Sequence, residues 1–146
     1  MSFGKAASRG GGARDVDSGD RCPCGSGDPF GACCGPVLRG EPAPTPERLM
    51  RSRYTAFVLG DSDHLMTSWH PRTRPDDLSI DPLVRWTGLT VHAVEQGGVD
   101  DTQGVVEFTA SWEDRSGRDV ARGALHERSR FVRRSGRWWY VDGHVD

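Results

Sequence analysis

The amino-acid sequence predicts an α+β fold in which helices pack in a curved antiparallel sheet, with a small cysteine-rich module in front. Three observations support this fold class. All four cysteines lie between residues 22 and 34. Apolar residues recur with the period of a helix from Thr45 to His70, and they alternate as in strands from Trp86 onward. Helices followed by strands that short turns connect are typical of α+β domains.

The composition is that of an ordinary globular protein. Its 146 residues suffice for one domain and a small appendage, and the formal net charge of -2 gives no general attraction to nucleic acid or membrane. No apolar run could span a bilayer, and residues 1–21 lack the apolar segment of a secretory signal. Residues 1–20 are predicted to be a disordered leader. The clustered thiols favour a reducing cytoplasm.

The cysteines form two close pairs, Cys22 with Cys24 and Cys33 with Cys34. Two pairs of thiolates are a common ligand set for Zn²⁺, which binds four ligands in a tetrahedron at about 2.3 Å. The glycines and prolines between the pairs let the backbone wrap an ion without a regular element. Two crosswise disulfides, redox chemistry or four free thiols are the alternatives. We therefore predict a zinc module over residues 21–40, closed by four protein ligands and so unsuited to metal catalysis.

A helix is predicted after the linker 40–44. Thr45 can cap it, Pro46 suits its first position and Gly60 its end. A second, shorter helix follows and ends at His70-Pro71. Lone histidines such as His64 and His92 are interpreted as surface residues.

Four strands joined by short turns are predicted from Trp86 to the end of the chain, and they complete a domain over residues 45–146. Ser135-Gly136 is predicted to form a two-residue hairpin turn. That turn would place Phe131 opposite Tyr140 and Ser129 opposite Asp142, all on the concave face.

The cysteine stretch resembles the SEC-C motif, the Cys-x-Cys-x8-Cys-(Cys or His) zinc module at the tail of the preprotein translocase ATPase SecA. The match includes Gly25-Ser26-Gly27 as well as the four cysteines. The resemblance implies a role in docking, because the SecA module is understood to contact a chaperone and the ribosome. On this basis Phe30, Val37 and Leu38 are expected to face a protein partner.

The whole chain resembles the YchJ-like family of bacterial proteins, in which an SEC-C motif precedes a domain similar to nuclear transport factor 2. The segments that carry the resemblance are 22–27, 49–57, 69–71, 125–131 and 138–143. The resemblance implies a cone-shaped, cystatin-like sheet that cups the helices. It implies little about chemistry, because that fold hosts enzymes and binding modules alike.

The predicted cone could enclose a polar pocket. Its candidate residues are Arg53, Tyr54, His70, Trp86, Glu127, Ser129, Tyr140 and Asp142. The favoured interpretation is a buried polar network, for instance Arg53 with Glu127 or Asp142, because buried carboxylates need partners. The alternative is a small-molecule binder or enzyme in which one carboxylate acts as acid or base. No nucleophile motif, phosphate loop or cofactor fingerprint supports an enzyme.

Arginine is dense between residues 115 and 137 and could form a face for RNA or an acidic partner. The favoured interpretation is a solvated outer face balanced by Glu113, Asp114, Asp119 and Glu127. Nucleic acid is thus a disfavoured partner. The sequence favours a zinc-dependent protein-interaction module.

Overall fold

The computed structural model describes residues 16–146 and confirms the α+β layout. A short 3-10 helix, Phe30–Ala32, precedes three α-helices. These are α1 (Cys34–Leu38), α2 (Pro46–Leu59) and α3 (Ser62–Thr67). The strands are β1 (Val84–Gln96), β2 (Gln103–Asp114), β3 (Ala121–Arg134) and β4 (Arg137–Val145). No helix among the described residues is long and apolar enough to cross a membrane.

The sheet is an antiparallel meander with the order β1-β2-β3-β4. Ser135 and Gly136 form the two-residue turn between β3 and β4, with φ of 53° and 78°. Positive φ at both positions gives a hairpin turn whose twist matches that of the strands. Phe131 lies opposite Tyr140, as predicted.

Helix α2 fills the concave side of the sheet. The Thr45 hydroxyl accepts a hydrogen bond from the Arg48 amide at 3.1 Å, and Gly60 ends the helix with φ of 78°. Alternate residues of β2, β3 and β4 bury their side chains on the concave side, as the period of two in a strand predicts. They are Val106, Phe108 and Ala110 of β2, Leu125, Glu127, Ser129 and Phe131 of β3, and Trp138 and Tyr140 of β4.

The prediction that Asp142 faces inward is wrong. Phe131 pairs with Tyr140 but Arg130 pairs with Asp142, so Val141 is an extra residue in β4. This β-bulge reverses the alternation from Asp142 onward. Asp142 therefore lies on the outer face and accepts a hydrogen bond from Nε of Arg130 at 2.7 Å. Gly143 takes the inward position opposite Ser129 instead.

Gly143 is where the sheet backbone meets a buried carboxylate. A Cβ atom there would collide with the Glu127 carboxylate, which is fully buried and accepts a hydrogen bond from the Ser129 hydroxyl at 2.8 Å. Glu127 therefore does not balance the arginines of the outer face, contrary to the prediction. Other acids pair with those arginines, namely Glu95, Glu107, Glu113 and Asp142.

Residues ahead of the predicted module boundary at residue 21 also contact the cysteine module. The amide of Phe30 donates to the Asp20 carbonyl at 2.7 Å, and that of Gly31 donates to the Ser18 carbonyl at 2.9 Å. The segment 16–20 thus belongs to the module. The rest of the predicted leader, residues 1–15, lies outside the described residues.

The interpretation of His64 as a surface residue is wrong, whereas His92 is exposed as expected. His64 is buried at the start of α3, and its Nε2 lies 2.8 Å from the hydroxyl of Ser52. The Ser52 hydroxyl donates to the Leu49 carbonyl at 2.7 Å, so it accepts from His64. Burial, reinforced by the charge of Arg53, lowers the pKa of His64 from 6.5 to about 4.

We predict that His64 makes the fold sensitive to mild acid. A depressed pKa stabilises the fold fully above about pH 6.5, and the contribution is lost as the pH falls toward 4. The shift corresponds to a loss on the order of 3 kcal/mol. His64→Gln should flatten the dependence of the free energy of unfolding on pH between 6.5 and 4, as urea denaturation can measure. His92→Gln is the matched control and should retain the slope of the wild type, and an equal slope in all three proteins would contradict the assignment.

Candidate metal centre

The four cysteines converge on one buried point. Their Sγ atoms all lie within 4.8 Å of one another, and the side chains are at most 4% exposed. Cys24 Sγ and Cys33 Sγ are 3.6 Å apart. The edge of a ZnS₄ tetrahedron with bonds of about 2.3 Å is roughly 3.8 Å, whereas a disulfide is about 2.05 Å long. The sulfurs are thus free thiols spaced as metal ligands, and the disulfide alternative does not describe this structure.

Short turns hold the first pair of cysteines. The Cys22 amide donates to the Asp28 carbonyl at 2.9 Å, and the Gly25 amide donates to the Cys22 carbonyl at 3.2 Å. Gly25 and Gly27 have φ of 79° and 89°, which other residues rarely adopt. The sequence thus folds a tight loop whose two thiols point inward.

The second pair comes from the junction of two helical turns. The 3-10 helix ends at Ala32, Cys33 has φ of -129° and ψ of -101°, and α1 begins at Cys34. This break in the helical path lets consecutive cysteines direct their sulfurs to the same point. The sequence analysis did not foresee either helix, because both are shorter than a helical period can reveal.

The thiols compete for protons because they are close and buried. Hydrogen bonds from Cys22 and then Cys34 lower the pKa of Cys24, while burial raises the pKa of Cys33 to about 11. Cys34 has a raised pKa because it shares protons with Cys22 and Cys24. Four thiolates together would place four negative charges in a buried site. A divalent cation compensates part of that charge, so the donor set fits a metal ion.

Two hydroxyls support the sulfurs from outside. Thr55 of α2 donates to Cys34 Sγ at 3.3 Å, and its oxygen lies 3.9 Å from Cys22 Sγ. The hydroxyl of Ser26 lies 3.2 Å from Cys33 Sγ. Hydrogen bonds to thiolates stabilise their charge and fix their orientation, so these residues orient the ligand set.

Two arginines of α2 hold the backbone of the module. Arg48 donates to the Cys33 carbonyl at 3.2 Å, and Arg51 donates to the Cys24 carbonyl at 2.9 Å. Arg48, Arg51 and Thr55 follow an i, i+3, i+7 spacing on one face of α2. The sequence analysis missed this second contact face, although that spacing could have revealed it. The module is therefore packed on the domain, and Val37, expected to face a partner, is buried at 4% exposure.

The candidate pocket residues separate into two groups. Arg53, Ser129 and Tyr140 line a cavity of only 10 Å³ inside the cone, and Glu127 lies next to Ser129. Tyr54 is buried and hydrogen-bonds with the Gly88 backbone.

The remaining candidates lie elsewhere. Trp86 packs edge-on against Phe57, with ring centroids 6.1 Å apart. His70 is half-buried beside Trp139, and its Nδ1 accepts from the Arg72 amide at 3.1 Å. Asp142 is on the outer face. No substrate-sized pocket therefore unites these residues.

Comparisons with known proteins agree with this architecture. Residues 20–36 match the SEC-C motif, and residues 45–143 match the family described as YchJ, middle NTF2-like domain. A UPF0225 protein of Streptomyces coelicolor is 49% identical over 84% of this chain and 93% of its own length.

Solved structures are similar as well. A SEC-C motif containing protein from Rhodopseudomonas palustris is 33% identical with a TM-score of 0.73, covering 87% of this chain and 99% of its own. Another, from Psychrobacter arcticus, is 25% identical with a TM-score of 0.64, covering 88% and 84%.

We predict that metal removal destabilises the whole described fold in one transition. The cysteines share one core with α2, so losing their metal should loosen that helix as well. A strong chelator should release one metal ion per chain, measured by elemental analysis, and lower the unfolding temperature by at least about 10 °C in calorimetry. A separate small transition that leaves the sheet unchanged, or metal-free protein with two disulfides, would contradict this prediction.

Thr55→Val should weaken metal binding while keeping the shape of the side chain. Loss of the hydroxyl removes the donor to Cys34, and such losses typically cost roughly 10-fold to 100-fold in affinity. Competition with a chelator of known affinity measures the change. The control is Thr109→Val, at a hydroxyl that contacts His92 on the outer face, and it should bind as the wild type does. Unchanged affinity in Thr55→Val would exclude the supporting role.

Proposed function

Since the chain belongs to the YchJ-like UPF0225 family and carries its SEC-C motif, we propose that it is a zinc-binding protein that docks onto a protein partner through this module. The main observation that supports this function is that four buried thiols lie close together beneath an exposed loop. A metal held by four protein ligands has no open position for substrate, so its role is to fix the shape of that loop.

Zinc is the metal that the donor set favours. Soft thiolates select zinc, copper(I) or iron–sulfur clusters, and a single tetrahedral S₄ site suits zinc. Reduced thiols agree with the cytoplasm as the proposed location, because disulfides are rare there.

The proposed contact surface is the loop 25–29, hereafter the module loop. All of its residues are exposed, while the other side of the module packs on α2. This surface replaces the apolar one expected from the sequence, because Val37 is buried and Phe30 and Leu38 are half-buried against the core. Asp28 is the charged side chain of the module loop, so the partner should offer a polar or basic surface. Ribosome-associated proteins and chaperones are the partner classes that the SEC-C resemblance suggests.

The other candidate functions have less support. An enzyme that used the inside of the cone would need a pocket of several hundred Å³, and the cavity at Arg53 and Tyr140 has 10 Å³. Nucleic acid is disfavoured because four arginines of this stretch, Arg115, Arg122, Arg128 and Arg130, pair with carboxylates. Arg122 lies 3.1 Å from Glu113, and Arg128 lies 3.0 Å from Glu107.

Affinity purification with charge-reversed baits tests the proposal. Asp28→Arg alters the module loop without touching a ligand sulfur. A protein that the wild type retains should be reduced at least about tenfold with Asp28→Arg, as quantitative mass spectrometry measures.

The matched control is Asp119→Arg, in the exposed turn between β2 and β3. It makes the same charge change and should retain the partner. Circular dichroism and metal content must show that Asp28→Arg is folded and loaded. A partner retained equally by Asp28→Arg, or no protein retained specifically by the wild type, would refute docking through the module loop.

A further inference from the structure

A zinc ion would compensate only part of the charge of the cysteine cluster. Four thiolates carry four negative charges and the ion carries two positive ones, so the loaded site retains about two negative charges. The sulfurs lie within 4.8 Å of one another, and the cysteines are at most 4% exposed. Charge that is removed from water is costly unless opposite charge lies near it. The site therefore needs positive charge in addition to the metal.

The module itself does not supply this positive charge. Its residues 16–40 contain three acids and two arginines and no other charged side chain, so they add negative charge on balance. These residues are Asp17, Asp20, Asp28, Arg21 and Arg39. Compensation of the loaded site must therefore come from outside the module.

Helix α2 brings two arginines to the cluster. Arg48 Nη2 donates to the Cys33 carbonyl at 3.2 Å, and Arg51 Nη1 donates to the Cys24 carbonyl at 2.9 Å. The carbonyl oxygen of a cysteine is at most about 5 Å from its own sulfur, so each guanidinium lies within roughly 8 Å of a ligand sulfur. The side chain of Arg51 is only 16% exposed, so water and salt screen its charge weakly.

We propose that Arg48 and Arg51 compensate the charge of the loaded site and thereby raise its affinity for zinc. A guanidinium stays charged at any pH at which the protein is folded, so the two side chains offset the two negative charges permanently. The hydrogen bonds to the carbonyls position these charges beside the sulfurs. The inference rests on the proposed zinc site and adds the residues of the domain that set its affinity.

Glu47 separates this charge role from a purely structural one. Its Oε2 accepts from Arg51 Nε at 2.9 Å, one helical turn away. If Arg51 served only to anchor the module, Glu47 would favour zinc binding because it holds the guanidinium in place. If the charge of Arg51 matters, Glu47 opposes zinc binding because its carboxylate offsets that charge.

Competition with a chelator of known affinity, on the full chain at about 50 mM salt, tests the arginine. Arg51→Gln should lower the zinc affinity at least about tenfold, whereas Arg51→Lys keeps the positive charge and should stay within about threefold of the wild type. The matched control is Arg74→Gln. Arg74 donates to the Trp69 carbonyl at 3.1 and 2.8 Å, so its loss removes the same kind of contact away from the module, and zinc affinity should not change.

A second variant tests the charge without removing the contact with Cys24. Glu47→Gln should raise the zinc affinity at least about threefold, and the gain should shrink at about 0.5 M salt because the charge is then screened. Asp63→Asn makes the same change in the first turn of α3 and should leave the affinity unchanged. This pair of variants decides the question even if Arg51→Gln fails to fold.

The outcomes distinguish the charge role from the zinc site itself. Equal affinity of wild type and Arg51→Gln, an Arg51→Lys protein as weak as Arg51→Gln, or unchanged or weaker binding by Glu47→Gln would overturn the charge role and leave the zinc site intact. A wild-type protein that binds no zinc would overturn the site and the charge role together.

Discussion

Helix α2 packs between two regions of different chemistry, the cysteine module and the concave side of the sheet. One face, with Arg48, Arg51 and Thr55, meets the carbonyls and sulfurs of the cysteine module. The opposite side meets the sheet, where apolar side chains surround a few polar ones. Because a single helix carries both faces, the four cysteines and the sheet core share one structural element. Folding of the cysteine module is thereby coupled to folding of the domain.

Buried charge is stabilised by different groups on the two sides of α2. The sulfur cluster concentrates negative charge that a divalent cation can compensate, and hydroxyl donors orient the thiolates. Inside the cone, Arg53 is a buried positive charge. Two acceptors at Nη1, the aromatic faces of Trp69 and Tyr140, and the nearby Glu127 stabilise it. The cavity beside Arg53 has a volume of only 10 Å³, far below that of a typical ligand pocket.

The β-bulge at Val141 separates the interior chemistry from the outer face. It turns Asp142 outward to Arg130 and leaves Gly143 over the Glu127 carboxylate. A strand without this bulge would put a second carboxylate beside Glu127 in the core, at a large cost in desolvation and repulsion. The same bulge helps to balance the charges of the outer face, because it pairs Asp142 with Arg130.

The sequence by itself determined helix α2, the four strands and the group of four cysteines. These features depend on local patterns, which can be recognised without knowledge of the fold. The patterns are the spacing of the cysteines, the caps Thr45 and Gly60, the turn at Ser135-Gly136 and the alternation of β3. Tertiary structure alone decided the rest. The bulge that moved Asp142, the burial of His64 against Ser52, and the packing of the module on α2 all depend on contacts between distant segments. Such contacts depend on how distant segments of the chain pack together, and the local patterns of a single sequence do not specify this packing.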